Sequence, residues 1–97
     1  MTKYRLSNLA KQDLIDIAIY GDKNFGIQQS DQYRDKLQNR FELLAEQPFL
    51  FPAVDHIHTG YRRSVCGKHS IYYRIKDNII EIMRILGQQD HSQCLGD

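Results

Sequence analysis

The last third of the chain constrains the fold most, because short apolar runs alternate there with two-residue turn signals. Residues 61–66, 68–76 and 79–86 are rich in β-branched and aromatic side chains, which is typical of strands. Gly67 permits a turn after the first run, and Asp77-Asn78 tolerates the positive φ of a two-residue hairpin before the last. Tight links of this kind join antiparallel strands. The pattern predicts a three-stranded antiparallel meander.

The first half of the chain has the periodicity of two amphipathic helices after a short strand at residues 3–6. Ser7 or Asn8 can cap the first helix with a side-chain oxygen, and Gly26 ends it. The second helix spans about residues 27–47, where a proline stops it. The tight link predicts an antiparallel helical hairpin. The stripes expected to face the core are Leu14, Ile17, Ala18 and Gly21, widened by Ile15 and Ile19, and Tyr33, Leu37, Phe41 and Leu44.

The predicted turn at Asp77-Asn78 also predicts the register between the last two strands and the side of the sheet on which each residue lies. In that register Ile75 faces Ile80, Arg74 faces Glu81, Tyr73 faces Ile82 and Ile71 faces Arg84. The expected core side carries Ile71, Tyr73, Ile75, Ile80 and Ile82, and the other side carries Tyr72, Arg74, Lys76, Glu81 and Met83. Arg84 falls on the apolar side, so either it reaches the rim or a bulge turns it over. With helices on one face, we expect the other face to be free and charged.

Length and composition bound the rest of the architecture. Ninety-seven residues make one domain, 1–97, with a polar C-terminal tail at about 88–97. The predicted fold class is α+β, two layers, in the order β-α-α-β-β-β with a four-stranded sheet. Two cysteines, Cys66 and Cys94, cannot form a framework of several bridges, and we expect both as thiols. No segment resembles a signal peptide or a membrane span, which predicts a cytoplasmic protein.

Charge is distributed unevenly although the net charge is only +1. Residues 1–50 carry seven basic and seven acidic side chains, whereas residues 61–84 carry six basic and two acidic ones. A local basic patch attracts phosphate or an acidic protein segment. The candidate contact residues are Arg62, Arg63, Arg74 and Arg84. The alternative for each is a surface or cross-strand ion pair, most clearly between Arg74 and Glu81.

Patterns that would mark catalysis or metal binding are weak. The four histidines and two cysteines lack the close spacing of structural zinc sites, so no metal or cofactor is expected. No nucleophile lies in a recognisable turn, and no glycine-rich phosphate loop occurs. Metal-free RNA cleavage would need a positioned acid and base with cations. His69 and His91 are candidates for proton transfer, and neither is marked by its surroundings.

The element order, with Gly60-Tyr61-Arg62, Ile71-Tyr72-Tyr73-Arg74-Ile75 and Ile82-Met83-Arg84-Ile85-Leu86, resembles the RelE/ParE superfamily of bacterial toxins over about residues 3–90. The resemblance implies the toxin of a type II toxin–antitoxin module. It also implies that the N-terminal strand lies beside the last strand. A ParD-like antitoxin, with a DNA-binding N-terminus and a flexible C-terminal segment, would neutralise the toxin.

Two branches of this superfamily imply different activities. Resemblance to the RelE branch implies a ribosome-dependent mRNA endonuclease, whereas resemblance to the ParE branch implies a protein that poisons DNA gyrase. Arg62 matches a cationic position of the RelE branch, but Ser70 and Gln89 stand where arginines are expected, and no tyrosine follows Arg84. Losing such donors costs roughly 3 kcal/mol of transition-state stabilisation each. The resemblance therefore favours a gyrase inhibitor that acts by binding and is not an enzyme.

Two alternatives stay open at this point. One is the ribosome-dependent mRNA interferase of the RelE type, and the other is an inactive homologue that only binds its antitoxin. In all three cases no membrane partner and no direct sequence-specific DNA binding are expected.

Overall fold

A strand, a helical hairpin and a three-stranded meander follow one another along the chain. The computed structural model describes residues 3–87 and residue 95. The elements are β1 (Tyr4–Leu6), α1 (Asn8–Phe25), α2 (Ile27–Glu46), β2 (Arg62–Cys66), β3 (His69–Lys76) and β4 (Ile79–Leu86). The order and boundaries confirm the predicted α+β class, with differences of one or two residues at the ends. Gln89, His91, Cys94 and most of the predicted tail lie outside the described residues.

Local side-chain and backbone chemistry sets the ends of the two helices. The Ser7 hydroxyl accepts a hydrogen bond from the Ala10 amide at 3.0 Å, so Ser7 is the N-cap of α1. Gly26 alone separates α1 from α2, and its φ of 87° suits glycine far better than other residues. A Cβ on Gly21 would lie 2.6 Å from the Ser30 hydroxyl oxygen. The absence of a side chain there lets the two helices approach closely near their link.

The four strands form one mixed sheet in the order β1-β4-β3-β2. β1 lies beside β4, as the family resemblance implied, and the two strands pair in parallel, while the remaining pairs are antiparallel. The turn between β3 and β4 has positive φ at both Asp77 (55°) and Asn78 (63°), as predicted.

The register confirms three predicted strand partners and corrects the fourth. Ile75 pairs with Ile80, Arg74 with Glu81 and Tyr73 with Ile82. An irregularity at Tyr72/Tyr73 then places Arg84 opposite Tyr72 and Ile85 opposite Ile71. The bulge, one of the two alternatives considered, lets the isoleucine take the core position that the arginine would otherwise occupy.

The helix side of the sheet carries the larger core, which we call the helix-side cluster. Its buried members are Ala10, Leu37, Phe41, Leu44, Ala45, Cys66, Ile71, Tyr73, Ile80, Ile82 and Ile85. The predicted core positions Leu37, Phe41 and Leu44 of α2 and Ile71, Tyr73, Ile80 and Ile82 of the sheet are among these members, whereas Leu14, Ile17 and Tyr33 are partly buried and pack against them. The predictions for Ile15 and Ile19 are wrong, because both side chains are exposed. The prediction that Ile75 belongs to the core is wrong, because Ile75 lies next to the Asp77-Asn78 turn and its side chain is exposed. Cys66 is a free thiol, as expected, and the structure shows that it is buried.

The opposite side of the sheet is not free, which corrects the prediction of an open charged face. A second core, the far-side cluster, comprises Val54, Tyr61, Tyr72, Leu86 and Leu95, with Ile57 and Met83 packed on it. Tyr72 is fully buried there. The long loop between α2 and β2 and the C-terminal Leu95 supply the cover. Covering this side removes a tyrosine ring and several aliphatic side chains from water, and this burial of apolar surface stabilises the folded chain.

Candidate partner-binding surfaces

Arg84 is engaged with α1. Its Nε and Nη2 donate to the two carboxylate oxygens of Asp13 at 2.8 and 3.0 Å, and the Ile85 amide donates to the same carboxylate at 2.9 Å. Both side chains are largely buried. A fork of this geometry is among the stronger polar contacts in proteins. Arg84 therefore ties β4 to α1.

Arg74 belongs to a row of charges across three strands on the far side. Its Nε donates to Glu81 at 2.6 Å, and the Arg5 Nε donates to the other carboxylate oxygen at 3.2 Å. The hydrogen bond from Arg74 is the main reason that the pKa of Glu81 lies below its usual value. One carboxylate thus serves two guanidinium groups, and the row keeps an excess positive charge. The cross-strand pair considered as an alternative is present.

Arg62 is directed to the loop that precedes it. Its Nη1 donates to the Phe51 carbonyl at 2.6 Å, and its guanidinium lies 5.0 Å from the centre of the Phe49 ring. A cation over an aromatic face is attracted by the ring quadrupole. Its backbone also forms an isolated bridge with Ala53. Arg62 therefore contacts the loop from its inner side.

Arg63 differs from the other three arginines. It pairs with Tyr72 in the register, so its side chain emerges on the far side of the sheet. Its guanidinium has no ion-pair or hydrogen-bond partner within residues 3–87 or Leu95. The structure thus puts Arg63 and Arg74 on the far side, whereas Arg62 is directed to the loop and Arg84 to α1, so the four predicted arginines do not form one cationic surface.

The rim of the far-side cluster adds an aromatic pair beside the charged row. The rings of His58 and Tyr61 stack with centroids 3.9 Å apart and an interplanar angle of 17°. Burial raises the pKa of the Tyr61 hydroxyl, and the positive charge of Arg74 partly offsets this. Tyr61 therefore stays protonated at neutral pH.

The hairpin end presents an apolar cleft that sequence reasoning missed. The cleft has a volume of about 290 Å³ and lies between both helices and the β2–β3 turn. Its walls include Ile17, Tyr20, Phe25, Gln29 and Tyr33. We call this site, with the exposed side chains around it, the hairpin surface. This volume is at the bottom of the roughly 300–1,000 Å³ range of small-molecule sites, so side chains of a partner suit it better than a cofactor.

Large apolar side chains are exposed around this cleft and along α1. Tyr20 is 63% exposed and Ile27 67% exposed, and Ile15 and Ile19 are exposed as well. These two isoleucines widen the apolar stripe of α1 beyond the width that one buried face needs. That excess was the available signal, and it was interpreted as core. An apolar surface of this kind on a folded domain marks an interaction site.

A tyrosine–histidine pair forms the polar floor of the cleft. The Tyr33 hydroxyl lies 2.6 Å from His69 Nδ1 and 3.2 Å from the Cys66 carbonyl, and it accepts the Lys68 amide at 3.1 Å. Burial raises the pKa of Tyr33 and lowers the pKa of His69. The imidazole is therefore neutral at physiological pH. The pair fastens the β2–β3 turn to α2.

Two further absences concern only the part of the chain that the structure describes. There, no three His, Cys, Asp or Glu side chains approach one another closely enough to hold a metal ion. No helix of the described part combines the length and the apolar character needed to cross a bilayer.

Comparison with known proteins agrees with the fold. Residues 4–91 match the family model described as the ParE toxin of the type II toxin–antitoxin system parDE. The chain is 39% identical over 94 residues to Toxin ParE1 of Caulobacter vibrioides, covering 97% of each chain. It is 32% identical over 89 residues to Toxin ParE1 of Mycobacterium tuberculosis, covering 91% of each.

A solved structure supports the same architecture. A chain of the chromosomal ParDE toxin–antitoxin system from P. aeruginosa superposes with a TM-score of 0.80 at 18% identity, over 92% of this chain and 98% of that one. At this identity the likeness concerns the fold. Together with the family match and the two curated relatives, it shows that the chain belongs to the ParE toxin family of type II toxin–antitoxin systems.

Proposed function

We propose that this ParE-family toxin acts by binding DNA gyrase, without bond chemistry of its own, and that a ParD-like antitoxin neutralises it by covering the hairpin surface. The exposed apolar side chains around the hairpin cleft are the observation that carries the antitoxin proposal. The gyrase proposal follows from membership of the family. The proposal also puts the protein in the cytoplasm, where both partners are expected to act.

The hairpin surface suits a flexible segment that folds on binding. Such segments cover wide surfaces by laying an amphipathic helix in a groove, with large apolar side chains as anchors. The cleft offers an apolar wall from Ile17 and Phe25 and a polar floor at Tyr33. Lys68 lines its mouth, and its ammonium group has no ion-pair partner within the described residues. An acidic side chain next to an apolar anchor would complement it.

The engagement of two arginines supports binding rather than RNA cleavage. Phosphoryl transfer needs cations that are free to meet the charge developing on the phosphate. Arg62 is hydrogen-bonded to a loop carbonyl, and Arg84 is paired with Asp13. Releasing Arg84 would leave the Asp13 carboxylate partly buried without its partner, which is costly. These contacts favour structural roles for both arginines.

The cationic contact to gyrase is proposed at Arg63 and at the Arg5–Glu81–Arg74 row. Both lie on the far side or its edge, and both carry positive charge beyond what described acidic groups neutralise. A charged patch of this kind steers association and selects acidic partners. No sequence-specific contact to DNA is part of the proposal.

Antitoxin binding is tested by replacing exposed apolar residues of the hairpin. Tyr20→Ser and Ile27→Ser should weaken binding of the purified cognate antitoxin by about tenfold or more, as loss of an anchor does. Val65→Ser is the matched control, because Val65 is equally exposed (60%) but lies on β2. Equal affinity of all three variants and the parent protein would contradict the hairpin assignment.

Gyrase binding is tested with purified components. The protein should block supercoiling by DNA gyrase and make cleaved DNA accumulate, and adding antitoxin should reverse both effects. Arg63→Ala should weaken inhibition, while translating ribosomes should show no cuts in mRNA. Codon-positioned cuts with unimpaired gyrase would favour the mRNA interferase. Normal growth with soluble protein present would favour an inactive homologue.

A further inference from the structure

The loop between α2 and β2 displays two neighbouring apolar side chains. Phe49 is 70% exposed and Leu50 54% exposed, whereas the next residue, Phe51, packs against the helix-side cluster. Because they remain in water, these two side chains, which we call the loop tip, contribute little to the stability of the folded chain. Their exposure therefore points to a role outside it.

The loop that carries this tip is held at four successive points. The Leu50 amide donates to the Gln47 carbonyl (3.2 Å), the Tyr73 hydroxyl to Pro48 (2.9 Å), the Arg62 guanidinium to Phe51 (2.6 Å) and the Arg63 amide to Pro52 (3.2 Å). A segment held in this way loses little conformational entropy when a partner binds. The loop tip is thus prepared for contact before any partner arrives.

Arg62 makes two of the contacts that fix the tip. One guanidinium nitrogen bonds the Phe51 carbonyl, and the same group lies over the Phe49 ring. Arg62 is half-buried behind the loop, and the Phe51 carbonyl and the Phe49 ring are the two groups that its guanidinium contacts there. Its position suits a residue that orients Phe49 toward a partner.

The surroundings of the tip indicate which partner it fits. The Arg62 guanidinium, 5.0 Å from the centre of the Phe49 ring, forms no ion pair with any described acidic side chain, so its positive charge is not neutralised there. An aromatic anchor beside an arginine is the composition of energetically dominant sites in protein interfaces. The charge is complementary to acidic side chains. The α2 residues that line the hairpin cleft extend to Tyr33, so about 13 residues, or roughly 20 Å of helix, separate the cleft from the end of α2 at Glu46, where the loop begins.

We propose that the loop tip is the anchor by which the protein binds its target, at a protein surface that combines an apolar pocket with acidic side chains, and that Arg62 is a positioning residue for Phe49. The inference rests on the proposed function, in which that target is DNA gyrase.

Replacing the tip tests the anchor. Phe49→Ser and Leu50→Ser should each raise the concentration needed for half-inhibition of purified gyrase about tenfold or more, with unchanged melting temperature and antitoxin affinity. Leu9→Ser, which removes an exposed apolar side chain (61%) from the start of α1, should inhibit like the parent protein. Full inhibition by both tip variants would overturn the proposal. So would binding of a DNA duplex, without gyrase, that the tip variants lose, because the partner surface would then be nucleic acid.

A double-mutant cycle tests the positioning role. Arg62→Ala should weaken inhibition in the parent protein but add little in the Phe49→Ser background, because it acts through that ring. Arg62→Lys, which keeps the charge without the planar fork, should behave like Arg62→Ala. Losses that simply add would make Arg62 a direct contact and overturn its assignment.

Growth inhibition separates this inference from the proposed function. If the parent protein is toxic but leaves gyrase unimpaired, the gyrase proposal fails. The tip is then judged on growth: stable tip variants that have lost toxicity uphold the anchor, and fully toxic tip variants overturn it.

Discussion

The two sides of the sheet are both packed, but by different means. On the helix side, residues at helical spacing such as Leu37, Phe41 and Leu44 meet alternating residues of β3 and β4. On the far side, Val54 of the loop and Leu95 near the C-terminus meet Tyr72, and these residues share no periodicity. A sheet side can therefore be buried without any regular pattern that announces its cover. It also follows that the far side depends on few side chains.

The largest effect is expected from Leu37→Ala on the helix side. Leu37 is fully buried among side chains of both layers, so its truncation should lower the free energy of unfolding by about 2–5 kcal/mol. Urea denaturation measures this. Leu9→Ala, at an exposed position of the same hairpin, is the control and should change the value by less than about 0.5 kcal/mol. A similar small change for both variants would refute a tightly packed helix side.

Leu95→Ala should have the next largest effect, at about 2 kcal/mol, the lower end of the range for buried leucines. Leu95 is nearly as buried as Leu37 but belongs to the smaller cluster. The measurement is again urea denaturation, with Val65→Ala as the exposed reference. If Leu95→Ala left stability unchanged, the far side would not need its C-terminal cover.

The ion pair between Asp13 and Arg84 on the helix side and the one between Glu81 and Arg74 on the far side extend the comparison of the two sides of the sheet. Asp13→Asn should cost about 1–3 kcal/mol, because it removes a charge that receives hydrogen bonds from Arg84 and from a backbone amide. Glu81→Gln, in the more exposed row on the far side, should cost about 0–1 kcal/mol. Thermal unfolding at low and high salt compares the two variants. A larger loss at Glu81 would reverse the order of the two sides.

The smallest effect on stability is expected from the protonation of His69, which lines the hairpin cleft on the helix side of the sheet. Burial lowers the pKa of His69 below its usual 6.5, with Tyr33 of α2 and Lys68 of the turn beside it and the carboxylate of Asp13 acting in the opposite direction. The unfolded chain thus binds this proton more readily, so its contribution is fully present above about pH 6.5 and is lost as pH falls toward the folded pKa.

Melting temperatures measured from about pH 7.5 down to about pH 5 test this effect. The parent protein should lose stability across that interval, and His69→Gln should lose less. A steeper loss of stability in the variant would contradict a neutral, half-buried imidazole at His69. The contribution of Glu81, whose pKa is also lowered, is lost only below about pH 4.5.

Much of the fold was accessible from local patterns. The Ser7 cap, Gly26 and the Asp77-Asn78 turn act within a few residues, so their chemistry is visible in the sequence itself. The position of Ile85 opposite Ile71 was harder, since the bulge depends on packing across two strands. The exposure of Ile75 and Ile19 was missed because apolar residues were assumed to be core.

The candidate site was less accessible than the fold. Residue type marked four arginines, but their partners Asp13, Phe51 and Glu81 lie 71, 11 and 7 residues away in the chain. In the sequence, an arginine that forms an ion pair with a distant carboxylate of the same chain cannot be distinguished from one that contacts a partner protein. The placement of these arginines as contacts remains a prediction, with Arg63 the best placed.

By itself, the sequence determined the element order, the turns, the strand register near Asp77-Asn78 and the likeness to ParE toxins, because each depends on neighbouring residues or on their spacing. Only the tertiary structure decided that the far side is covered, that Arg62 and Arg84 serve the fold, and that the hairpin cleft and the loop tip are exposed. The reason is physical: burial and ion pairing depend on which distant segments meet, and the free energy of those contacts belongs to the assembled chain rather than to any one segment.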